Sequence, residues 1–83
     1  MKYFKTMKYQ IKNRYTGEII VEMEGKNLKE VVEKNKLNLQ EADLREANLQ
    51  GADLRGADFQ EAKIKFSQIK DLIKGLGIII VDE

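Results

Sequence analysis

The sequence contains no histidine and no cysteine, so the carboxylates are the side chains best suited to acid-base or metal chemistry. The commonest general base, the commonest metal ligand and the thiolate nucleophile are therefore all missing. Asp43, Asp53 and Asp58 could form an acidic cluster for a metal ion or for proton transfer. Short polar side chains in a repeat also hydrogen-bond to turn backbone, and we favour that structural role. The sequence predicts no enzyme activity, no metal and no cofactor.

A second candidate lies in the N-terminal arm, where basic and aromatic residues are interleaved. Such residues can bind single-stranded nucleic acid through phosphate contacts and base stacking. The interpretation that we favour is a β-strand whose lysines keep its edge solvated and whose aromatic rings pack inward. Nucleic acid is therefore the alternative partner and not the expected one. The residues concerned are Lys2, Lys5, Lys8, Lys12, Arg14, Tyr3, Phe4, Tyr9 and Tyr15.

The charge distribution is uneven but weak. The net charge is +1, and nine Lys/Arg against five Glu make residues 1–36 a mildly basic head on a mildly acidic remainder. Neither part carries enough charge to indicate nucleic-acid binding or nucleic-acid mimicry. No apolar run reaches the length of a signal-peptide core or the roughly 20 residues of a membrane span. We expect a cytoplasmic protein with no membrane contact.

A five-residue repeat organises the middle of the chain, where residues 37–66 read LNLQE, ADLRE, ANLQG, ADLRG, ADFQE and AKIKF. Five residues advance an α-helix by about 500°, so the large apolar third residues would scatter around the cylinder. A strand alternates with period two, which five does not fit. The pattern predicts a chain that turns a corner after each unit and points its first and third side chains inward.

These units resemble those of the pentapeptide-repeat family, in particular its small phage and prophage members. The resemblance implies a mainly β fold, a right-handed quadrilateral β-helix of about one and a half coils in which residue n stacks on residue n+20. It places large residues in the core at Leu39, Leu44, Leu49, Leu54, Phe59 and Ile64. It places small inward residues at Ala42, Ala47, Ala52, Ala57 and Ala62.

The flanking segments are expected to cap this short coil, so that the chain forms one domain. Residues 1–36 predict a β-hairpin around Tyr15-Thr16-Gly17 and a capping helix over 28–35 that begins after Asn27. Residues 67–83 predict a second helix with Ser67 as its N-cap, followed by a strand over 78–81 that is buried on both faces. Such an apolar strand must be covered, either by the hairpin of the same chain or by another subunit.

The function predicted from these features is a non-enzymatic protein-interaction module that works as a homodimer. The expected dimer interface contains Ile69, Leu72, Ile73, Leu76, Ile78, Ile79, Ile80 and Val81. The charged residues available to a partner protein are Glu41, Arg45, Glu46, Arg55 and Glu61.

The resemblance to phage proteins implies an inhibitor of a host enzyme, such as a defence nuclease, in the host cytoplasm. Some relatives with long repeats mimic DNA and protect topoisomerase, and that role is an alternative. It fits poorly, because one and a half coils rise only about 7 Å at the strand spacing of β-structure.

Overall fold

The computed structural model describes residues 6–79 and residue 81. The elements in chain order are β1 (Met7–Asn13), β2 (Ile19–Gly25), α1 (Leu28–Lys34), β3 (Ala42–Asp43) and α2 (Ile69–Gly75). Two 3-10 turns, Lys36–Asn38 and Phe66–Gln68, precede the repeats and α2 respectively. The predicted site residues Lys2, Tyr3, Phe4, Lys5 and Ile80 lie outside the described residues.

Strands β1 and β2 form an antiparallel hairpin in the segment for which the sequence predicts one. Asn13 closes its turn, because its Oδ1 accepts hydrogen bonds from the N–H groups of Tyr15 and Thr16 at 2.7 and 3.1 Å. Gly17 then adopts a φ of 75°, which glycine reaches without steric cost. The alternation along β1 buries Ile11 in the core and leaves Lys8 and Lys12 in solvent.

The hairpin continues into the repeats as a three-stranded antiparallel sheet of order β2-β1-β3. On the far side of β3, Asp43 forms a parallel bridge with Lys63, twenty residues later. The Lys63 N–H donates to the Ala42 carbonyl at 2.8 Å, and the Leu44 N–H donates to the Lys63 carbonyl at 2.9 Å. At this side of the molecule the backbone therefore has the n to n+20 register that the resemblance implies.

Most of the repeat segment consists of turns and not of regular strands. In each of five successive units, the alanine N–H donates to the carbonyl of the large apolar residue three positions earlier, from Ala42 to Leu39 through to Ala62 to Phe59. These bonds turn the chain after every unit. A β-helix with four regular sides, closed into a quadrilateral coil, remains a prediction.

The core is formed by Ile11 of β1, Val31 and Val32 of α1, and the inward residues of the repeat from Leu39 to Leu54. Helix α1 begins where the sequence predicts, because Asn27 Oδ1 accepts the Glu30 N–H at 2.8 Å. Phe59 and Ile64 are only half-buried, like Ala57 and Ala62, although all four were expected in the core. They lie in the last two of the six units, and the residues after these units form a 3-10 turn and α2.

Helix α2 packs against the repeat at Ala52 and Leu54. The Gly75 carbonyl accepts the Leu54 N–H at 2.8 Å, and Gly75 itself is buried. A Cβ at this position would come within 2.9 Å of the Ala52 carbonyl oxygen and 3.0 Å of Leu54 Cδ1. Glycine is therefore required for close approach. The predicted N-cap is wrong, because Ser67 lies inside the preceding 3-10 turn.

The predicted buried strand over 78–81 is also wrong for the residues that the structure describes. Ile78, Ile79 and Val81 form no strand and are 54%, 85% and 66% exposed. Gly77, with a φ of 84°, ends α2, and the Ile78 N–H donates back to the Ile73 carbonyl at 3.2 Å. This C-terminal cap, typical of helix ends, turns the chain before a strand can form.

Candidate functional site

The aspartates of the repeats are held individually by neighbouring side chains. Arg45 donates to both carboxylate oxygens of Asp43, at 2.9 and 2.8 Å, and Arg55 does the same to Asp53 at 2.9 Å for each bond. The carboxylates also accept the backbone N–H groups of the same arginines, as turn-forming aspartates do. Each aspartate thus stabilises its own corner of the repeat.

The electrostatics agree with this structural role. The hydrogen bond from Arg45 holds the pKa of Asp43 down to about 2, and the bond from Arg55 holds the pKa of Asp53 well below its ordinary value. The pKa of Asp58 is also lowered, chiefly by a bond of 2.6 Å from Gln40. Among the residues that the structure describes, no group of three or more carboxylates could hold a metal ion. The acidic-cluster hypothesis has no geometric support in this part of the chain.

The lowered pKa of Asp43 predicts an acid-dependent loss of stability. The ionised form is favoured in the folded state, so its contribution is present above the unfolded pKa of about 4 and is lost as the pH falls towards about 2. We expect Asp43→Asn to be less stable than the original protein at pH 7 by at most about 1 kcal/mol, as for an exposed ion pair.

Urea titrations at several pH values measure that difference. It should shrink between about pH 4 and pH 2, and Arg45→Met should remove the same acid dependence because it removes the partner. A difference that is constant across this range would contradict the assignment.

The charged residues predicted to meet a partner protein lie in three environments. Glu41 and Glu61 contact the hairpin turn, where Asn13 Nδ2 donates to Glu41 Oε1 and the Tyr15 hydroxyl donates to Glu61 Oε1, both at 3.2 Å. Arg45 and Glu46 lie beside Lys65, whose Nζ is 3.9 Å from Glu46 Oε1. Arg55 lies near Gly77, at the end of α2.

Glu41 and Glu61 have a feature that the sequence analysis missed. Both have a φ of 60°, in the left-handed region that Gly51 and Gly56 occupy at the same position of other units. A side chain there costs roughly 1 to 2 kcal/mol. The hydrogen bonds from Asn13 and Tyr15 offset part of this cost. Through them the hairpin contacts the first and the fifth repeat units.

The residues in and next to α2 that were expected in the dimer interface have different environments. Leu72 and Leu76 pack against the protein's own core, whereas Ile69 is exposed and Ile73 is half-buried. Leu72 and Leu76 thus help to cover the protein's own core, and the dimer interface remains a prediction.

Exposed apolar side chains lie before and after α2 in the chain. Phe66, 90% exposed, precedes α2, and Ile78 and Ile79 follow it. Lys70, Lys74, Ile78 and Ile79 line a groove of about 430 Å³. We call the set of residues Phe66, Ile69, Lys70, Lys74, Ile78 and Ile79 the C-terminal surface. Its arrangement suits contact with another macromolecule more than it suits chemistry.

The comparisons with known proteins concern the repeats. A family model described as pentapeptide repeats matches residues 38–71 in eight copies. Comparisons with curated proteins and with solved structures gave no match. In the part of the chain that the structure describes, no helix has the length and apolar character to cross a membrane.

The family match confirms the resemblance read from the sequence, and it extends past residue 66 into α2. The family suggests a β-helix, and its members are generally non-enzymatic modules of the protein-interaction type. Residues 38–71 of this chain therefore match the model of the pentapeptide-repeat family.

Proposed function

We propose that this protein is a non-enzymatic module that binds another protein through its C-terminal surface. The observation that carries the proposal is the exposure of Phe66, Ile78 and Ile79, which flank α2 in the chain, whereas the third residues of the first four repeat units are buried. Exposed apolar patches on a small protein mark interaction sites, and Ile78 and Ile79 line one groove together. Three large apolar residues that stay in water add no burial free energy to folding. This loss matters in a chain of 83 residues, because small folds have little stability to spare.

Two features support the absence of catalysis. The sequence has no histidine or cysteine, and Asp43 and Asp53 are each held by an arginine that keeps them ionised. A general acid or base needs a pKa near the working pH and freedom to meet a substrate. These carboxylates have neither property.

The specific role that we propose is steric inhibition, in which the module binds an enzyme and covers part of its surface. A phage-encoded inhibitor of a host enzyme would work in this way in the host cytoplasm. DNA mimicry has less support. A mimic must present unpaired negative charges in place of phosphates. Asp43 and Asp53, which belong to the repeat, are neutralised by Arg45 and Arg55 at 2.8 and 2.9 Å.

A homodimer through the C-terminal segment is the second candidate. Its support is the last two repeat units, where Phe59 and Ile64 are half-buried, together with the exposed residues of the C-terminal surface. A two-fold interface could cover both at once. Burying about 800 Å² per subunit would be ordinary for a stable interface.

Affinity capture from the source cells, with matched variants, tests the proposed function. We expect one protein to be retained by the original chain and lost with the double variant Ile78→Ser, Ile79→Ser. Ile19→Ser is the control, because Ile19 is 49% exposed on the hairpin, close to the 54% of Ile78. Equal retention by all three proteins would contradict the proposal.

Light scattering on the purified chain separates the two candidates. A mass close to 9.6 kDa fits a module that waits for a different partner. About twice that mass, reduced to one chain by Ile79→Lys, would establish the homodimer.

A further inference from the structure

The geometry of the C-terminal surface points to the chemistry of its partner. We propose that the surface takes an acidic amphipathic helix of another protein, with an apolar side chain in the groove beside Ile78 and Ile79 and carboxylates on Lys70 and Lys74. This inference rests on the proposed function, which states that the surface binds a protein but not which kind.

The groove supplies the apolar part of the contact. It is an open depression of about 430 Å³ whose walls are the two isoleucines and the stems of the two lysines. Lysine buries its aliphatic stem along apolar surface while its ammonium group stays in water. An aliphatic side chain entering the groove would therefore meet apolar atoms on every wall and ammonium groups at the rim.

The two lysines supply the charge. Lys70 and Lys74 lie one helical turn apart on α2, a spacing that sets Cβ atoms about 5 to 6 Å from each other. In residues 6–79, neither ammonium group lies within 4 Å of a carboxylate, whereas Lys8, Lys34 and Lys36 each do. Two carboxylates one turn apart on a partner helix would match them.

The nearest acidic residue on α2 does not neutralise this pair. Asp71 lines a different depression, together with Arg45, Lys65 and Ser67, on the side of the helix that faces the repeat. The outward side of α2 is thus basic and apolar, and its inward side carries Leu72, Gly75 and Leu76.

A second copy of the chain fits this charge pattern less well. A two-fold interface sets the same patch against itself, so four ammonium groups would meet around the axis. Like charges brought together in an interface disfavour the complex. An anionic membrane is also a weaker match, because each lysine near a membrane surface contributes only about 1 kcal/mol and this surface offers two.

A labelled synthetic peptide tests the proposal directly. The probe is a designed amphipathic helix with leucines along one stripe and glutamates one turn apart beside it, and the comparison peptides carry glutamine or lysine at the glutamate positions. Fluorescence anisotropy should give binding of the glutamate peptide that weakens with added NaCl, since exposed charges are screened by salt. The double variant Lys70→Glu, Lys74→Glu should bind it about tenfold less tightly or weaker.

The decisive measurement reverses the charges on both the protein and the peptide. The Lys70→Glu, Lys74→Glu protein should prefer the lysine peptide, a gain of binding that a merely unfolded variant cannot give. Lys26→Glu, an exposed lysine outside the surface, is the matched control and should keep the original preference. The Ile78→Ser, Ile79→Ser protein should bind neither peptide.

Three results would overturn the proposal. They are equal binding of all three peptides, binding to phosphatidylserine vesicles without binding to the peptide, and a stable dimer that the lysine reversals leave unchanged. Cellular capture that needs Ile78 and Ile79 but ignores the lysine reversals would refute the acidic partner and leave the proposed function standing. Capture that needs neither pair would refute both.

Discussion

Leu49→Asp is expected to unfold the protein at neutral pH. Leu49 is the third residue of the third repeat unit and is 1% exposed, in the middle of the covered coil. A carboxylate there would have no partner among the leucines and alanines that surround it, and such a change costs several kcal/mol. A domain of this size has a total stability of only about 3 to 5 kcal/mol, so the substitution should exceed it.

Graded substitutions separate burial from charge. Leu49→Ala should cost about 2 to 5 kcal/mol by leaving a cavity. Gln50→Asp, at the next and exposed position, should change stability by no more than about 0.5 kcal/mol. Circular dichroism during urea unfolding measures all three variants. A Leu49→Asp protein with the original unfolding midpoint would mean that the third positions of the repeat are not core.

The burial of the third positions could be predicted because it depends on sequence period alone. A repeat of five fits neither the helix nor the strand, so the chain must turn after each unit, and the same side chain then points inward each time. Leu39, Leu44, Leu49 and Leu54 are all buried. The hairpin turn and the start of α1 could be predicted because they depend on residues close together in the chain. Gly17 adopts the positive φ of the turn, and Asn27 accepts the N–H of Glu30 three residues later.

The C-terminal region could not be predicted in the same way. Four consecutive β-formers at 78–81 favour a strand, but a strand needs an edge to pair with, and the cap at Gly77 directs the chain elsewhere. Gly75, read locally, weakens a helix by about 1 kcal/mol. In the fold it allows α2 to approach Ala52 and Leu54. The missing strand and the role of Gly75 both depend on contacts between residues far apart in the chain. Neither the hydrophobic pattern nor the helix and strand propensities describe such contacts.

Gln68 has a structural role that no sequence pattern indicates. It is 7% exposed, and its Nε2 donates to the carbonyls of Leu44 and Ala47 at 2.7 Å each. Its Oε1 accepts the backbone N–H of Lys65. These carbonyls belong to the second and third repeat units. One side-chain amide thus joins the segment before α2 to the backbone of the repeat.

Gln68→Leu is expected to destabilise the protein strongly even though it adds apolar volume. It leaves two carbonyls and one N–H without their partner, and each buried polar group left unpaired costs about 1 to 3 kcal/mol. The total should reach at least about 2 kcal/mol. Gln60→Leu, at an exposed position of the repeat, is the control and should change stability little.

Gln68→Glu turns the same site into a pH-dependent one. An ionised carboxylate would face two carbonyl oxygens in a buried place, so both desolvation and repulsion raise its pKa in the folded state above the unfolded value of about 4.3. Because the folded form then binds the proton more tightly, the variant is most stable below that value and loses stability as the pH rises through the folded pKa.

The stability difference between the Gln68→Glu variant and the original protein, measured by urea unfolding from pH 3 to pH 8, isolates this effect from the opposite acid dependence of Asp43. The difference should be smallest at pH 3, where the protonated acid can donate to one of the two carbonyls, and should grow by up to about 1.4 kcal/mol per pH unit above the unfolded pKa. Gln60→Glu, which adds the same charge at an exposed position, should show no such growth. If the Gln68→Glu difference is flat across the range, residue 68 is solvated, and the segment before α2 is not joined to the repeat in the way described.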